Sequence, residues 1–194
     1  MPKDPMVQFK KWLDDAIAAK VIEPNAMCVA TCGPDMKPSN RYVLLKSFDP
    51  QGFVFYTNLE SRKSQQLIAN PNAAATFWYG AFERSIRIEG TVAQVSKEES
   101  DAYFNSRCRG AQIGAWTSQQ SKPVESGAEI QRVFDQITKE QEGKEAIERP
   151  PHWGGWRIKP SYIEFWNGKA SRLHDRIVYT REGDGEWTMG RLQP

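Results

Sequence analysis

No apolar run in this 194-residue chain approaches the roughly 18 residues that a membrane-spanning helix requires. The first six residues, Met1 to Met6, are polar and hold two prolines, so they do not read as a signal peptide. A cytoplasmic protein is the expectation. Charge of one sign is also missing. The 26 Lys and Arg against 24 Asp and Glu leave a formal charge of +2, too balanced for a general nucleic-acid or membrane binder. Basic residues can therefore matter only through local clustering. Histidine is scarce: His152 and His174 lie far in sequence from Cys28, Cys32 and Cys108, and no zinc-ligand spacing arises. On a strand, Cys28 and Cys32 would share a face about 13 Å apart, too far for a disulfide, so reduced structural thiols are expected. There is no Gly-x-Gly-x-x-Gly, no Walker loop and no Gly-x-Ser-x-Gly. A nucleotide cofactor held in those familiar ways is thereby disfavoured.

What is present suits one soluble domain spanning 1–194. Hydrophobic residues make up 39% of the chain, and seven tryptophans add the apolar area of a sizeable core. Met6, Phe9, Leu13 and Ile17 recur at helical spacing over 5–20, with Trp12 adjoining. Strands are expected at 26–32, 39–48 and 52–58, with a hairpin turn at Asp49-Pro-Gln-Gly52. A helix at 61–69 ends before Asn70-Pro71. Strands follow at 73–79 and 84–95, where Ile86, Ile88 and Val92 point one way and Arg87, Glu89 and Thr91 the other. Ser96-Lys-Glu-Glu99 is a capping box opening a helix to about Arg107. Another amphipathic helix covers 126–142 through Ile130, Val133, Phe134 and Ile137, and strands return at 155–166, 173–181 and 186–191. Residues 143–152 are the most linker-like stretch and read as a connection within the domain. Closely spaced hairpins without βαβ alternation predict a mainly β, antiparallel barrel with helices packed outside.

Several basic clusters could carry chemistry. Ser61, Arg62 and Lys63 open the 61–69 helix, where free N–H groups and the dipole favour an anion such as phosphate. Tyr103 and Arg107, spaced i, i+4, would share a helix face and could clamp a second phosphate. Lys46 ends an otherwise apolar strand. Arg172, His174 and Arg176 would alternate onto one strand face, an expensive arrangement unless an anion or electron-rich ring lies between them. Taken singly, each cluster also reads as ordinary solvated surface. The residues alone imply a β-barrel protein binding more than one anionic group.

The motifs together identify a resemblance. Arg41-Tyr-Val-Leu-Leu-Lys46, Phe55-Tyr-Thr-Asn58 with Ser61-Arg-Lys63, Gln112-Ile-Gly-Ala-Trp116 and Trp153-Gly-Gly155 occur in order. Glu164-Phe-Trp-Asn-Gly168 then leads into Arg172-Leu-His-Asp-Arg176, and Arg191-Leu-Gln-Pro194 closes the chain. In this the sequence resembles the pyridoxine (pyridoxamine) 5′-phosphate oxidase family from about Asp4 to Pro194. The resemblance implies an FMN-binding split barrel with flanking helices, acting as a homodimer with FMN in a cleft between subunits. It implies oxidation of pyridoxine and pyridoxamine 5′-phosphates to pyridoxal 5′-phosphate, with O2 as acceptor, hydrogen peroxide as co-product and ammonia from the amine. Carried over by position, the FMN contacts are Arg41, Tyr42, Val43, Leu44, Leu45, Lys46, Tyr56, Thr57, Arg62, Lys63, Gln120, Ser121, Trp166 and Arg176. The substrate contacts are Lys46, Tyr103, Arg107, Arg172 and His174, the last two covering the reacting group as catalytic residues. No nucleic-acid, membrane or metal partner is implied.

The chain departs from the family pattern at Ser85, where a flavin-contacting glutamine is usual, at Ala111, where a serine helps hold the substrate phosphate, and at Cys108, which replaces a proline. The chain as read starts close to the first helix, so a lid or secondary ligand site on the N-terminal extension common in the family is not expected. Losing one neutral hydrogen bond at Ala111 corresponds to roughly a three- to tenfold weaker grip. These changes are expected to weaken substrate binding and leave the reaction intact. The competing readings are a split-barrel flavin oxidase with another substrate, and a non-catalytic protein that retains FMN or pyridoxal phosphate.

Overall fold

The first helix shows how the core is built. The computed structural model describes residues 1–194. Helix α1 (Pro5–Ala18) begins where the Asp4 side chain accepts from the Met6 N–H at 2.8 Å, with Pro5 in its first turn. It buries Met6, Phe9, Trp12, Leu13 and Ala16. Ile17, expected on this face, is 54% exposed, because helical rotation carries it to the rim of the stripe. The Phe9 ring meets Phe48, Phe53 and Phe77 edge-on, with centroids 4.8, 4.9 and 5.2 Å away. The helix thereby plugs one side of the sheet.

That sheet is antiparallel throughout and has nine strands. They are β1 (Ala26–Cys32), β2 (Pro38–Leu44), β3 (Ser47–Asp49), β4 (Gly52–Asn58), β5 (Asn72–Tyr79), β6 (Arg84–Gln94), β7 (Trp153–Asn167), β8 (Asp175–Thr180) and β9 (Thr188–Leu192). The order is β2-β1-β5-β6-β7-β4-β3. The long β7 pairs with β6 along one edge; on the other it meets β4 in its first half and β8 in its second. Where the halves meet, the β6–β7 register shifts at Glu89/Gly90. Only glycine fits there, since a Cβ on Gly90 would lie 2.0 Å from the Lys159 carbonyl oxygen. The result is a curled half-barrel with flanking helices, the fold class expected. All three cysteines are free.

Helices α2 (Arg62–Ala69), α3 (Lys97–Asn105), α4 (Arg109–Thr117) and α5 (Gly127–Glu140) lie outside the sheet strands in sequence. Ser96 caps α3 as expected, accepting from the Glu99 N–H at 3.0 Å. The expected strand 39–48 is two strands, because the chain changes partner. Through Leu44 it pairs with β1; then the Leu45 N–H donates to the Asn25 carbonyl and the Lys46 N–H to Val54 on the other flank. Helix α3 stops at Asn105, short of Arg107, where the Ser106 hydroxyl donates back to the Tyr103 carbonyl at 2.7 Å. The sequence reading missed α4. Its Ile113 and Ala115 join Phe104, Ile147 and Trp153 in a second apolar cluster, against which Phe134 and Ile137 of α5 pack. Ile147 and Arg149 tie the linker-like 143–152 into the fold: the Arg149 Nε donates to Asp101 at 2.6 Å.

A candidate anion-binding cavity

A cavity of about 800 Å³ opens between β2, β4, the start of α2 and the α3–α4 junction. Among the side chains that line it are Arg41, Lys46, Arg62, Lys63 and Arg107, and no Asp or Glu is among the 18 lining residues. Lys46 and Arg62 are exposed to solvent, but Lys63 is buried and Arg41 and Arg107 are partly so, and such cations facing one space with no carboxylate favour an anion from outside. Of the residues expected at a cofactor or substrate, Arg41, Tyr42, Val43, Leu44, Lys46, Tyr56, Thr57, Arg62, Lys63, Tyr103, Arg107, Gln120 and Ser121 all line it. Leu45 does not; its side chain is buried in the main core.

Lys63 is the most telling member. It is only 7% exposed, and its ammonium donates to Thr57 Oγ1 at 2.7 Å, Ser61 Oγ at 3.0 Å and Gln120 Oε1 at 2.6 Å. All three acceptors are neutral. Burial, reinforced by the charge of Arg41, pulls its pKa down to about 8. Ser61 occupies the N-cap position of α2 but makes no side-chain cap, so that end of the helix keeps free N–H groups. Arg41 is braced from β1 and β2. Its Nη1 donates to the Val29 carbonyl at 3.1 Å and Thr31 Oγ1 at 2.7 Å, and its Nη2 to Ser39 Oγ at 2.7 Å. Burial and the nearby Arg62 push its pKa down.

Tyr103 and Arg107 reach the same cavity, although not as a helical i, i+4 pair. Arg107 lies in the turn between α3 and α4, and that turn rather than a shared helix face brings the two together. Two departures from the family pattern, Cys108 and Ala111, also line this end.

The remaining candidates lie elsewhere in the single chain. Trp166 and Arg176 line a separate depression with Trp78, Ser85, Arg87, Glu164 and Pro194. Cross-strand register explains the grouping: Trp78 opposes Ser85, Ser85 opposes Trp166, and Trp166 opposes Arg176. Ser85 is thus a short side chain in a row of long ones. The expected strand alternation of Arg172, His174 and Arg176 does not hold. Strand β8 starts only at Asp175, and Ser171 and Arg172 adopt left-handed backbone with φ of 58° and 59°. His174 sits in this turn with its ring centroid 4.6 Å from that of Trp166. The Lys169 N–H donates to its Nδ1 at 3.2 Å, so in the neutral ring Nε2 carries the proton.

Sequence reasoning missed Glu164, which is 1% exposed. It accepts from Arg176 Nε at 2.7 Å, Arg87 Nη1 at 3.2 Å and the Tyr162 hydroxyl at 2.8 Å. Burial alone would raise its pKa, but Arg176, Tyr162 and Arg87 hold it below the usual value. The available signal was a carboxylate between Ile163 and Phe165 in an otherwise apolar strand. Glu164→Gln leaves two guanidiniums without their shared charge. It is expected to destabilise the protein by about 3 kcal/mol, a Tm fall of roughly 6–12 °C in thermal unfolding at pH 7. The difference from wild type should vanish as pH falls through the lowered Glu164 pKa. An unchanged Tm at pH 7 would show that the network contributes nothing.

Comparisons with known proteins bear on what the cavity holds. A family model described as pyridoxamine 5′-phosphate oxidase matches residues 13–141, and one described as the pyridoxine 5′-phosphate oxidase C-terminal dimerisation region matches 153–194. A pyridoxine/pyridoxamine 5′-phosphate oxidase of Rubrobacter xylanophilus is 52% identical over 191 residues, covering 98% of this chain and 87% of the relative. One from Bordetella petrii is 53% identical over 190 residues, covering 98% and 89%. Among solved structures, PhzG from Burkholderia lata 383, in complex with tetrahydrophenazine-1-carboxylic acid, superposes with a TM-score of 0.93 at 29% identity, covering 100% of this chain and 94% of that one. A pyridoxamine 5′-phosphate oxidase-related, FMN-binding protein from Nostoc punctiforme gives 0.78 at 16% over the full length of both, a likeness of fold.

Proposed function

This chain belongs to the pyridoxamine 5′-phosphate oxidase family, whose cofactor is FMN, and on that premise we propose that it oxidises pyridoxine and pyridoxamine 5′-phosphates to pyridoxal 5′-phosphate with O2 as acceptor. The observation that carries the reading is the cavity wall of five cations and no carboxylate. Such a wall suits two phosphate monoesters, each bearing close to two negative charges. The uncompensated Lys63 and the free N–H groups of α2 fit the phosphate of FMN, with Arg41, Arg62, Thr57, Gln120 and Ser121 around them. Lys46, Tyr103 and Arg107 would hold the substrate phosphate and so fix the position of its reacting carbon.

FMN, when bound, supplies the two-electron acceptor for the substrate's C4′ carbon. The protein's part is placement and electrostatics. Arg172 and His174 would cover the reacting group and orient it by hydrogen bonds, while negative charge developing on the reduced cofactor would fall to Arg176. Arg176, held by Glu164, and Trp166 would face the cofactor. In one chain these four lie outside the cavity, so the reading requires a second copy to bring them to it. The match of 153–194 to a dimerisation region supports that homodimer.

The test is aerobic turnover of pyridoxine 5′-phosphate by the FMN-loaded protein, following aldehyde and hydrogen peroxide together. Equal formation of both is expected. A yellow, FMN-loaded protein without turnover would turn the reading to a non-catalytic binder or an oxidase of another substrate.

A further inference from the structure

Arg107 lacks the partner that a half-buried guanidinium ordinarily has. Its Nη1 is buried without a hydrogen bond, and burial pushes its pKa down. Its neighbours are aromatic instead. The guanidinium carbon lies 4.7 Å from the Trp153 ring centroid and 5.8 Å from that of Phe104. Trp153 is itself one layer of a stack. The Tyr56 ring lies 5.3 Å from it at an interplanar angle of 9°, and 4.1 Å from Tyr103 at 18°.

The stack follows from the Trp153-Gly154-Gly155 sequence. Trp153 opens β7 opposite Asn58, which places Gly155 opposite Tyr56. A Cβ on Gly155 would fall 2.7 Å from Tyr56 Cε1 and 2.7 Å from Val95 Cγ2, so only glycine lets the Tyr56 ring lie flat there. The Trp153 carbonyl is held by Arg149, whose Nε is tied to Asp101. Trp153 is 6% exposed and fixed on both sides.

A carboxylate partner would occupy the guanidinium fork and cancel its charge. An aromatic face attracts the cation through its quadrupole and leaves the N–H donors free. We propose that Trp153 is a positioning residue for anion recognition: its ring face holds Arg107, and the same ring, together with Tyr56, packs directly on Tyr103 with centroids 6.1 Å apart at 10°, so both line the cavity with their hydrogen-bonding groups unspent. This rests on the reading above, in which Arg107 grips the substrate phosphate.

The experiment is steady-state kinetics with pyridoxine 5′-phosphate on FMN-loaded Trp153→Leu and Trp153→Phe, each alone and combined with Arg107→Ala. Trp153→Leu is expected to raise KM about three- to thirtyfold, and Trp153→Phe less, because tryptophan has the stronger cation-binding face. FMN content and kcat should stay within about twofold, and in the Arg107→Ala background the rise in KM should shrink to the smaller part carried through Tyr103. If Trp153→Leu does not fold, the smaller shift in Trp153→Phe, coupled to Arg107 in the same way, decides. Unchanged KM in wild-type-background variants, or the same rise with and without Arg107, overturns the inference alone. No turnover by the wild-type protein overturns the functional reading and this inference with it.

Discussion

Lys63→Met is expected to weaken FMN binding by about thirtyfold or more while leaving the cofactor-free protein at least as stable as wild type. The two halves have one cause. The Lys63 ammonium is buried against Thr57, Ser61 and Gln120, none of which carries charge. In the cofactor-free protein it is a desolvated cation without a counter-ion, and replacing it by an apolar chain of similar length removes that penalty. With a phosphate in place, the same ammonium becomes half of a buried ion pair. Removing one member of such a pair costs about 2–5 kcal/mol, from roughly thirtyfold to several thousandfold in affinity.

The pH dependence has a definite sign. Lys63 sits near 8 in the folded chain, below its ordinary 10.5. Between these values the unfolded chain binds the extra proton. Stability of the cofactor-free protein should therefore rise from pH 8 to about 10.5, with the full penalty present below pH 8. FMN affinity should move oppositely, falling above pH 8 as the ammonium loses its proton. Both trends should flatten in Lys63→Met. Titration of the flavin fluorescence and thermal unfolding across this range read them directly. Wild-type FMN affinity in the variant would remove Lys63 from the cofactor site.

Arg172→Ala is expected to lower kcat by about 10²-fold with FMN still bound. Arg172 is exposed, lies in the left-handed turn before β8, and its side chain makes no ion pair in the chain, so its loss leaves the fold intact. Its assigned work is to orient the reacting group, and misplacing that group costs about 10²-fold in rate. Arg172→Lys should recover part of that rate, since it keeps the charge but not the fork. Rapid kinetics and the flavin absorbance of the purified variants separate the outcomes. Loss of FMN, or a wild-type kcat, would each contradict the role.

Much of this architecture was legible locally. Asp4 and Ser96 announce their helices because a cap needs only the next three residues. The alternation of Ile86, Ile88 and Val92 reports one buried face because strand period is a backbone property. The family motifs identified the cavity's cations by number. What failed was non-local. The run 39–48 has uniform strand character, yet its two halves pair with different neighbours. Arg172 and His174 lie at strand spacing from Arg176, yet the turn after Gly168 keeps them off β8.

The sequence by itself therefore determined the periodicities, the caps, the inventory of cations and the family to which the chain belongs, since each is written in neighbouring residues or ordered motifs. Only the tertiary structure decided that five of those cations share one space without a carboxylate, that Glu164 goes to Arg87 and Arg176 instead, and that a ring face serves as Arg107's partner. The strand-borne outcomes depend on which strands pair and in what register, since a shift of one residue would exchange the faces of Arg41, Arg87, Glu164 and Arg176, while Lys63 and Arg107 reach the cavity through α2 and the α3–α4 turn.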